Sequence, residues 1–264
     1  DNTLRIGAAT TLDTIARGAL VRETIPALAD AAGFVGSPQV RRMGTLGGNL
    51  CLDTRCRYIN QSEFFRTALG GCLKSDGDRC HVVPGGTGCV AALSSDTIPV
   101  LVALGATVEI LGPCGTRTVL VEGLRNADGA QPVSLGSSEL LTTIIVPIPA
   151  ATTLCVVRKW AARRAIDFPL VSLALRLDLS VADPSIVAGG RLVVGVIGPK
   201  PRVVPLDSLR GARLDEALAT KVGELAHEHA RPLPNVPYDP VYRRERLAFE
   251  ARRAVRTLFA RGER

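Results

Sequence analysis

One crowded stretch of cysteines restricts this 264-residue sequence more than any other feature. Five of the seven cysteines lie between positions 51 and 89, while Cys114 and Cys155 stand apart. The surrounding residues 54–90 offer few apolar side chains, and irregular segments of that length are uncommon without a function or a cross-link. In an intracellular chain, clustered cysteines indicate metal or redox chemistry before disulfides. The stretch is therefore predicted to fold around a bound centre.

Four of these cysteines form the candidate ligand set: Cys56, Cys72, Cys80 and Cys89. Successive members are separated by 15, 7 and 8 residues. Zinc ribbons and ferredoxins use C-x2-C pairs instead. Four thiolates around one centre would supply folding energy that the segment's own core cannot. The residues alone leave a zinc site and a [4Fe–4S] cluster equally compatible with this pattern, with cysteines that bind nothing as the third reading.

A glycine-rich segment, Gly44-Thr45-Leu46-Gly47-Gly48-Asn49, directly precedes the cysteines. It lacks the spacing of a Rossmann fingerprint and of a Walker loop. Paired glycines let the main chain approach a flat or anionic ligand and turn its amides toward it. Thr45 and Asn49 would add a hydroxyl and an amide to such a site. An ordinary tight turn fits the same residues, so both interpretations stay open at this point.

Composition and charge argue against two classes of function. The net charge is +7, but much of the excess lies in residues 242–264, where apolar residues recur at helical spacing. A solvated face on an amphipathic helix explains these charges, and no aromatic residues are interleaved for stacking on bases, so nucleic-acid binding is not predicted. There is no run of 18 apolar residues and no signal peptide at the start, so we expect no membrane association and a cytoplasmic location.

The order of patterns predicts an α+β protein of two domains, residues 1–150 and 151–264, with an insertion at about 51–92. Residues 36–50 are predicted to form turns. The second domain is predicted as a three-stranded antiparallel sheet with helices on one face. Strands are predicted at 4–6, 107–111, 117–121, 141–146, 153–160, 169–179 and 192–197, and helices near 11–18, 25–32, 99–104, 214–229 and 240–259.

Five segments, in this order along the chain, resemble the FAD-binding medium subunits of the xanthine dehydrogenase group of molybdenum hydroxylases. They are residues 4–12, 45–49, 95–101, 158–168 and 242–244. The resemblance implies the PCMH-type fold of those flavoproteins. It also implies FAD as cofactor, with Asp96 at the ribityl region and Lys159 reaching in from the second domain. The implied site residues are Ile6, Thr45, Leu46, Gly47, Gly48, Asn49, Asp96 and Lys159.

The family begins with a further βαβ-like portion, whose glycine-rich turn holds the FAD pyrophosphate. This sequence starts after that portion. We therefore expect it to contain about half of a flavin pocket.

The cysteine-rich stretch resembles a narrower group within this family. In most members the asparagine and aspartate motifs lie close together, whereas residues 51–92 separate Asn49 from Asp96 here. The insertion is similar to that of the β subunits of 4-hydroxybenzoyl-CoA reductases, which binds a [4Fe–4S] cluster. The resemblance implies iron, with Cys56, Cys72, Cys80 and Cys89 as ligands. It leaves Cys51, Cys114 and Cys155 outside the site.

Partners and a direction of electron flow are also implied by this resemblance. We expect a molybdenum-cofactor large subunit and a [2Fe–2S] small subunit, in a dimer of heterotrimers. Ferredoxin electrons would enter at the cluster and pass through FAD to the large subunit, which reduces an aromatic acyl-CoA. The basic residues around the cluster that would guide an acidic ferredoxin are Arg55, Arg57, Arg66, Lys74 and Arg79, and solvation alone explains exposed basic residues about as well. Two alternatives are an oxidative hydroxylase for an N-heterocycle or aldehyde, and a zinc-stapled assembly module without a redox role.

Overall fold

A computed structural model of the chain describes residues 2–163 and 165–262 and contains two four-stranded antiparallel sheets. The strands are β1 Thr3–Gly7, β2 Thr107–Gly112, β3 Gly115–Leu120, β4 Leu140–Pro147, β5 Thr153–Trp160, β6 Val171–Leu179, β7 Val187–Gly195 and β8 Arg202–Val204. The helices are α1 Leu12–Arg17, α2 Ala19–Thr24, α3 Pro26–Gly33, α4 Pro38–Met43, α5 Leu46–Leu50, α6 Glu63–Ala68, α7 Ile98–Ala103, α8 Glu216–His229 and α9 Pro240–Gly262.

The first sheet has the strand order β1-β4-β2-β3 and packs against short helices. β1 pairs with β4, which places Ile6 opposite Ile144 in a buried apolar cluster. The predicted first strand and first helix are confirmed: Thr11 begins α1 by accepting a hydrogen bond from the Thr14 amide, and Gly18 follows its last residue. This sheet and α1, α3 and α7 form one core.

The second sheet runs β5-β6-β7-β8 in sequence order, with α8 and α9 against one face. The prediction of a three-stranded sheet was wrong by one strand. Strand β8 is only three residues long, Arg202–Val204, too short for an alternating pattern to mark it in the sequence. It pairs with β7 along the sheet edge. Among the described helices, none combines the length and apolarity that a bilayer crossing requires.

Strand β6 is buried on both faces, which joins the two parts of the molecule. Successive side chains of a strand point to opposite faces. Leu173 and Leu175 accordingly lie in the core beneath α8 and α9, while Ala174 between them belongs to the core around α7. Helix α7 thus packs against both sheets, and apolar burial is continuous from one to the other.

We call the region where α7 packs against β6 and β7 the seam. Charged side chains reinforce the seam at the end of α7. The carbonyls of a helix's last turn have no partner within the helix. Arg191 on β7 donates to the carbonyl of Val102 at 2.9 Å, and Arg176 on β6 donates to that of Ala103 at 3.5 Å. Arg176 therefore supplies a donor to the last carbonyl of α7, and Arg191 adds a second donor to the Val102 carbonyl, which also accepts from the Gly105 amide at 3.1 Å.

The cysteine-rich insertion leaves and rejoins the rest of the chain at one place. Arg55 and Ala92 exchange two backbone hydrogen bonds of 2.8 and 2.6 Å, which hold the ends of the segment together. The segment between them is irregular, as predicted, apart from α6, which Ser62 caps through the Phe65 amide.

Arg243 anchors α9 beneath the second sheet without a carboxylate partner. Its guanidinium donates to the carbonyls of Leu170 at 3.0 Å, Leu233 at 2.9 Å and Val196 at 2.6 Å. The side chain is almost fully buried, and this burial lowers the pKa of Arg243 to about 10. One side chain thus ties α9 to three loops.

We expect Arg243→Leu to lower the free energy of unfolding by about 3–5 kcal/mol, because three carbonyls, two of them bonded at buried sites, would lose their donor. Arg243→Lys should lose less, since an ammonium keeps the charge but cannot span three acceptors. Urea unfolding followed by circular dichroism measures both. Arg256→Gln, which breaks an exposed pair with Glu216, is the matched control and should change little. A loss in the control equal to that of Arg243→Leu would contradict this role.

Candidate functional site

The glycine-rich segment folds as a helical turn, not as the open turn that the sequence predicted. Thr45 begins α5, and its hydroxyl accepts a hydrogen bond from the Gly48 amide at 3.0 Å. The amides of Leu46 and Gly47 donate to the carbonyls of Thr10 and Ala8, both at 2.9 Å, and that of Asn49 donates to the Thr45 carbonyl. These backbone amides are therefore satisfied within the protein, and a role for this segment in ligand binding stays a prediction.

Gly47 is needed for packing against the turn after β1. A Cβ added there would lie 2.8 Å from the Ala8 Cβ and 2.9 Å from the Ala8 carbonyl oxygen. Gly48 is exposed, and a Cβ there would meet only the Thr45 hydroxyl, at 3.2 Å. The two glycines therefore do different things: Gly47 allows close approach of two backbone segments, and Gly48 leaves the outer side of the turn open.

Asn49 is held by the two residues that flank Asp96. The hydroxyls of Ser95 and Thr97 both donate to Asn49 Oδ1, each at 2.7 Å, and all of these residues are buried. These bonds orient the side-chain amide of Asn49. Within the described part of the chain, Asn49 Nδ2 donates no hydrogen bond. The structure thus brings together two motifs that the insertion separates in sequence.

Asp96 and Lys159 form a buried ion pair across the seam. Lys159 on β5 donates to Asp96 Oδ2 at 2.9 Å and to the Phe34 carbonyl, also at 2.9 Å. The other carboxylate oxygen, Asp96 Oδ1, is buried and has no hydrogen-bond partner in the described structure. Burial raises the pKa of Asp96 to about 6, and Lys159 only partly opposes the rise. A buried acceptor without a donor is costly, which makes this atom a place where a ligand hydroxyl or amide would bind.

Ile6 and Leu46 lie in the apolar core beside this seam. Leu46 is fully buried and Ile6 nearly so. Both contribute to the packing that positions β1 and α5. A contact of either with FAD stays a prediction.

Sequence reasoning missed Ser95 and Thr97 as site residues. Their signal was available, since residues 94–97 are four consecutive polar residues just before the apolar helix α7. The Phe34 carbonyl carried no signal, because a main-chain acceptor has no residue type.

All four predicted ligand cysteines line one small cavity of about 20 Å³. The walls include Tyr58, Lys74 and His81 together with Cys56, Cys72, Cys80 and Cys89. Burial raises the pKa of Cys56, and the amides of Tyr58 and Ile59 donate to its sulfur and oppose the rise. Burial likewise raises the pKa of Cys89, opposed by the Ala91 amide and by Lys74. None of the seven cysteines, all in the described part of the chain, forms a disulfide.

The arrangement of these cysteines differs from that of a single-ion site. Among the described residues, no group of three or more His, Cys, Asp or Glu side chains is placed to hold one metal ion. The four cysteines nevertheless line one common cavity.

Distant segments scaffold the cysteine cavity. The Cys89 amide donates to Asp128 at 3.1 Å, and the Cys89 carbonyl accepts from Gly129. Asn235, beyond the second sheet, donates from its side chain to the Val90 carbonyl and accepts from the Arg57 amide at its own carbonyl. These contacts span too much sequence to be predicted from spacing.

The five basic residues expected to guide an acidic partner differ in their exposure and in what they contact. Lys74, expected to guide an acidic partner, is a buried clamp that donates to Asp53, Thr54 and Gly129. Arg55 lies over the Phe168 ring, 4.7 Å from its centre. Arg79 is exposed and pairs with Asp78. The idea of a guiding patch is therefore wrong for Lys74.

Two family models match the chain. The model described as FAD binding domain in molybdopterin dehydrogenase matches residues 1–149, and that described as CO dehydrogenase flavoprotein C-terminal domain matches residues 157–258. These matches lie on the first and second sheets. The division at residue 150 stays a prediction.

Curated relatives include FAD-binding subunits of dehydrogenases. The nicotinate dehydrogenase FAD-subunit of Eubacterium barkeri is 24% identical over 90% of this chain and 69% of its own length. The xanthine dehydrogenase FAD-binding subunit of Escherichia coli O157:H7 is 27% identical over 76% of this chain. This chain spans 54% of that subunit's length.

Solved structures share the fold. Carbon monoxide dehydrogenase from Hydrogenophaga pseudoflava matches 99% of this chain and 76% of the solved chain, with a TM-score of 0.75 and 22% identity. Quinoline 2-oxidoreductase from Pseudomonas putida 86 matches 98% and 75%, with a TM-score of 0.73 and 20% identity.

The raised pKa of Asp96 predicts a pH dependence of stability. Because the folded carboxyl keeps its proton to a higher pH than the unfolded one, the folded state binds more protons between its ordinary pKa of 3.8 and about 6. The free energy of unfolding should therefore fall as pH rises through this window, by about 3 kcal/mol at most. Asp96→Asn should remove that fall.

Urea unfolding at intervals from pH 4 to pH 7 measures the effect. Asp207→Asn, at an exposed carboxylate, is the control and should keep the wild-type slope. Parallel curves for wild type and Asp96→Asn would mean that Asp96 titrates normally.

Proposed function

Because the chain belongs to the family of FAD-binding domains of molybdopterin dehydrogenases, we propose that it is the FAD-carrying, electron-transferring subunit of a molybdenum hydroxylase. The observation that carries this proposal is the meeting of three motifs at one seam. Asn49 from α5, Asp96 before α7 and Lys159 from β5 converge there through the bonds of Ser95, Thr97 and Lys159.

The residues at the seam fit a flavin nucleotide. Asn49 Nδ2 would donate and the unpartnered Asp96 Oδ1 would accept, which suits a ribityl chain or the edge of the isoalloxazine ring. Lys159 holds Asp96 Oδ2 and adds a positive charge beside a cofactor that carries phosphates. Thr45 and Gly48 form the open side of the turn next to Asn49. When bound, FAD supplies one- and two-electron redox chemistry that the side chains lack.

Four cysteines at one cavity support an iron–sulfur cluster as a second cofactor. Cys56, Cys72, Cys80 and Cys89 share the cavity, yet are not placed around one ion. Amide donors to the sulfurs of Cys56 and Cys89 are the kind of hydrogen bond that tunes such clusters. We therefore include a [4Fe–4S] cluster at this cavity in the proposal. The cluster would exchange single electrons with the flavin.

Two directions of electron flow are compatible with a flavin and a cluster. The relatives are named as dehydrogenases of nicotinate, xanthine and carbon monoxide, which favours an oxidative hydroxylase whose electrons leave through this subunit. The second candidate is a 4-hydroxybenzoyl-CoA reductase type of enzyme fed by ferredoxin, and the cysteine cavity is the observation that favours it. Turnover of the purified holoenzyme with each substrate class separates them. In either case a molybdenum-cofactor subunit and a [2Fe–2S] subunit are the proposed partners, and the cytoplasm the proposed location.

Serine at any one of Cys56, Cys72, Cys80 or Cys89 should release iron and bleach the broad visible absorption of the anaerobically prepared chain, because a hydroxyl is a poor ligand for a cluster iron. Iron, zinc and acid-labile sulfide are measured together on each preparation. Cys114→Ser and Cys155→Ser are matched controls and should retain the full load. Zinc without sulfide in the wild-type protein would favour the assembly module, and full iron in all six variants would refute the ligand set.

Asn49→Asp should weaken FAD binding roughly 10-fold or more, because it keeps the acceptor for Ser95 and Thr97 but replaces the Nδ2 donor with an acceptor. Quenching of flavin fluorescence on titration with the full chain measures the dissociation constant, and circular dichroism verifies the fold. Asn60→Asp, at an exposed position outside the seam, should bind as the wild type does. Equal affinities for all three proteins would place the flavin elsewhere.

A further inference from the structure

Lys74 contributes a buried positive charge to the wall of the cysteine cavity. Its Nζ donates to Asp53 Oδ1 at 2.6 Å, to Thr54 Oγ1 at 2.8 Å and to the Gly129 carbonyl at 2.6 Å. These three bonds use all of the ammonium's protons. The side chain is only 9% exposed, so the charge is fixed in place rather than free in solvent.

The carboxylate that pairs with Lys74 does not cancel its charge within the cavity. The Asp53 side chain is 71% exposed, against 9% for Lys74. Water screens an exposed charge strongly and a buried one weakly. Thr54 and Gly129 contribute only dipoles. Lys74 therefore contributes a positive potential at the Cys89 sulfur, and this contribution exceeds the opposing one of the Asp128 carboxylate, which accepts a hydrogen bond from the Cys89 amide.

We propose that Lys74 is a positioning residue that raises the reduction potential of the cluster held by Cys56, Cys72, Cys80 and Cys89, while clamping the start of the insertion to the turn at Gly129. This inference rests on the proposed function, since it needs a cluster in the cavity. Reduction adds one electron to the cluster and makes it more negative. A nearby buried cation stabilises the reduced state more than the oxidised state, so it favours uptake of that electron.

The experiment compares charge variants of the full chain after anaerobic reconstitution with iron and sulfide. Dithionite supplies the single electron in a potentiometric titration, and the reduced cluster is followed by electron paramagnetic resonance. Lys74→Met should shift the cluster potential downward, whereas Lys74→Arg should keep it near that of the wild type. Asp53→Asn should shift it upward by a smaller amount, because the lost carboxylate is exposed. Arg79→Gln, at an exposed pair, should leave it unchanged.

Opposite shifts for Lys74→Met and Asp53→Asn are the signature of charge, because loss of a merely structural clamp would not reverse sign between the two partners. If Lys74→Met retains no iron, Asp53→Asn decides alone: an upward shift supports the proposal and an unchanged or lower potential overturns it. If every variant that binds the cluster has the same cluster potential as the wild type, the proposal is also overturned. A wild-type chain that takes up no iron refutes the cluster itself, a separate failure that iron analysis detects before any titration.

Discussion

The structure depends on one buried ion pair, Lys159 with Asp96. A carboxylate at that depth is costly unless it is paired, and Lys159 reaches it from a strand of the other sheet. The same lysine holds the Phe34 carbonyl, so it joins the end of α3, the segment just before α7, and β5. Apolar packing of α7 on β6 brings these segments together, and the ion pair fixes which polar groups meet. The residues on either side of Asp96, Ser95 and Thr97, in turn bond Asn49.

Most strands and the long helices were predictable because their signals are local. The strand at 153–160 and the helix that begins at Pro240 agree with the structure closely. Strand β8 was missed because three residues carry no period, and Leu46–Leu50 was predicted as a turn because paired glycines usually disfavour a helix. There the Thr45 cap and the packing of Gly47 on Ala8 outweigh the propensity. The packing of Gly47 depends on the turn after β1, which lies far earlier in the chain.

The candidate site was predictable in membership more than in chemistry. Residue types marked the four cysteines and Asn49, the family resemblance marked Asp96, and the structure brings each group together. The roles were harder to infer. The backbone amides of Leu46 to Asn49 donate to acceptors within the protein. Lys74 holds the Gly129 carbonyl and is not a surface charge. Both differences arise from partners distant in sequence, Ala8 in one case and Gly129 in the other, which no spacing rule connects.

We propose that one chain holds a flavin at the seam and an iron–sulfur cluster in the cysteine cavity. Diffraction from crystals of anaerobically prepared protein with FAD, recorded at the iron and the zinc absorption edges, locates both cofactors in one experiment. We expect an anomalous iron peak enclosed by Cys56, Cys72, Cys80 and Cys89, and flavin density in contact with Asn49 and Asp96. A zinc peak or no peak among those cysteines, or flavin density away from the seam, would refute the proposal.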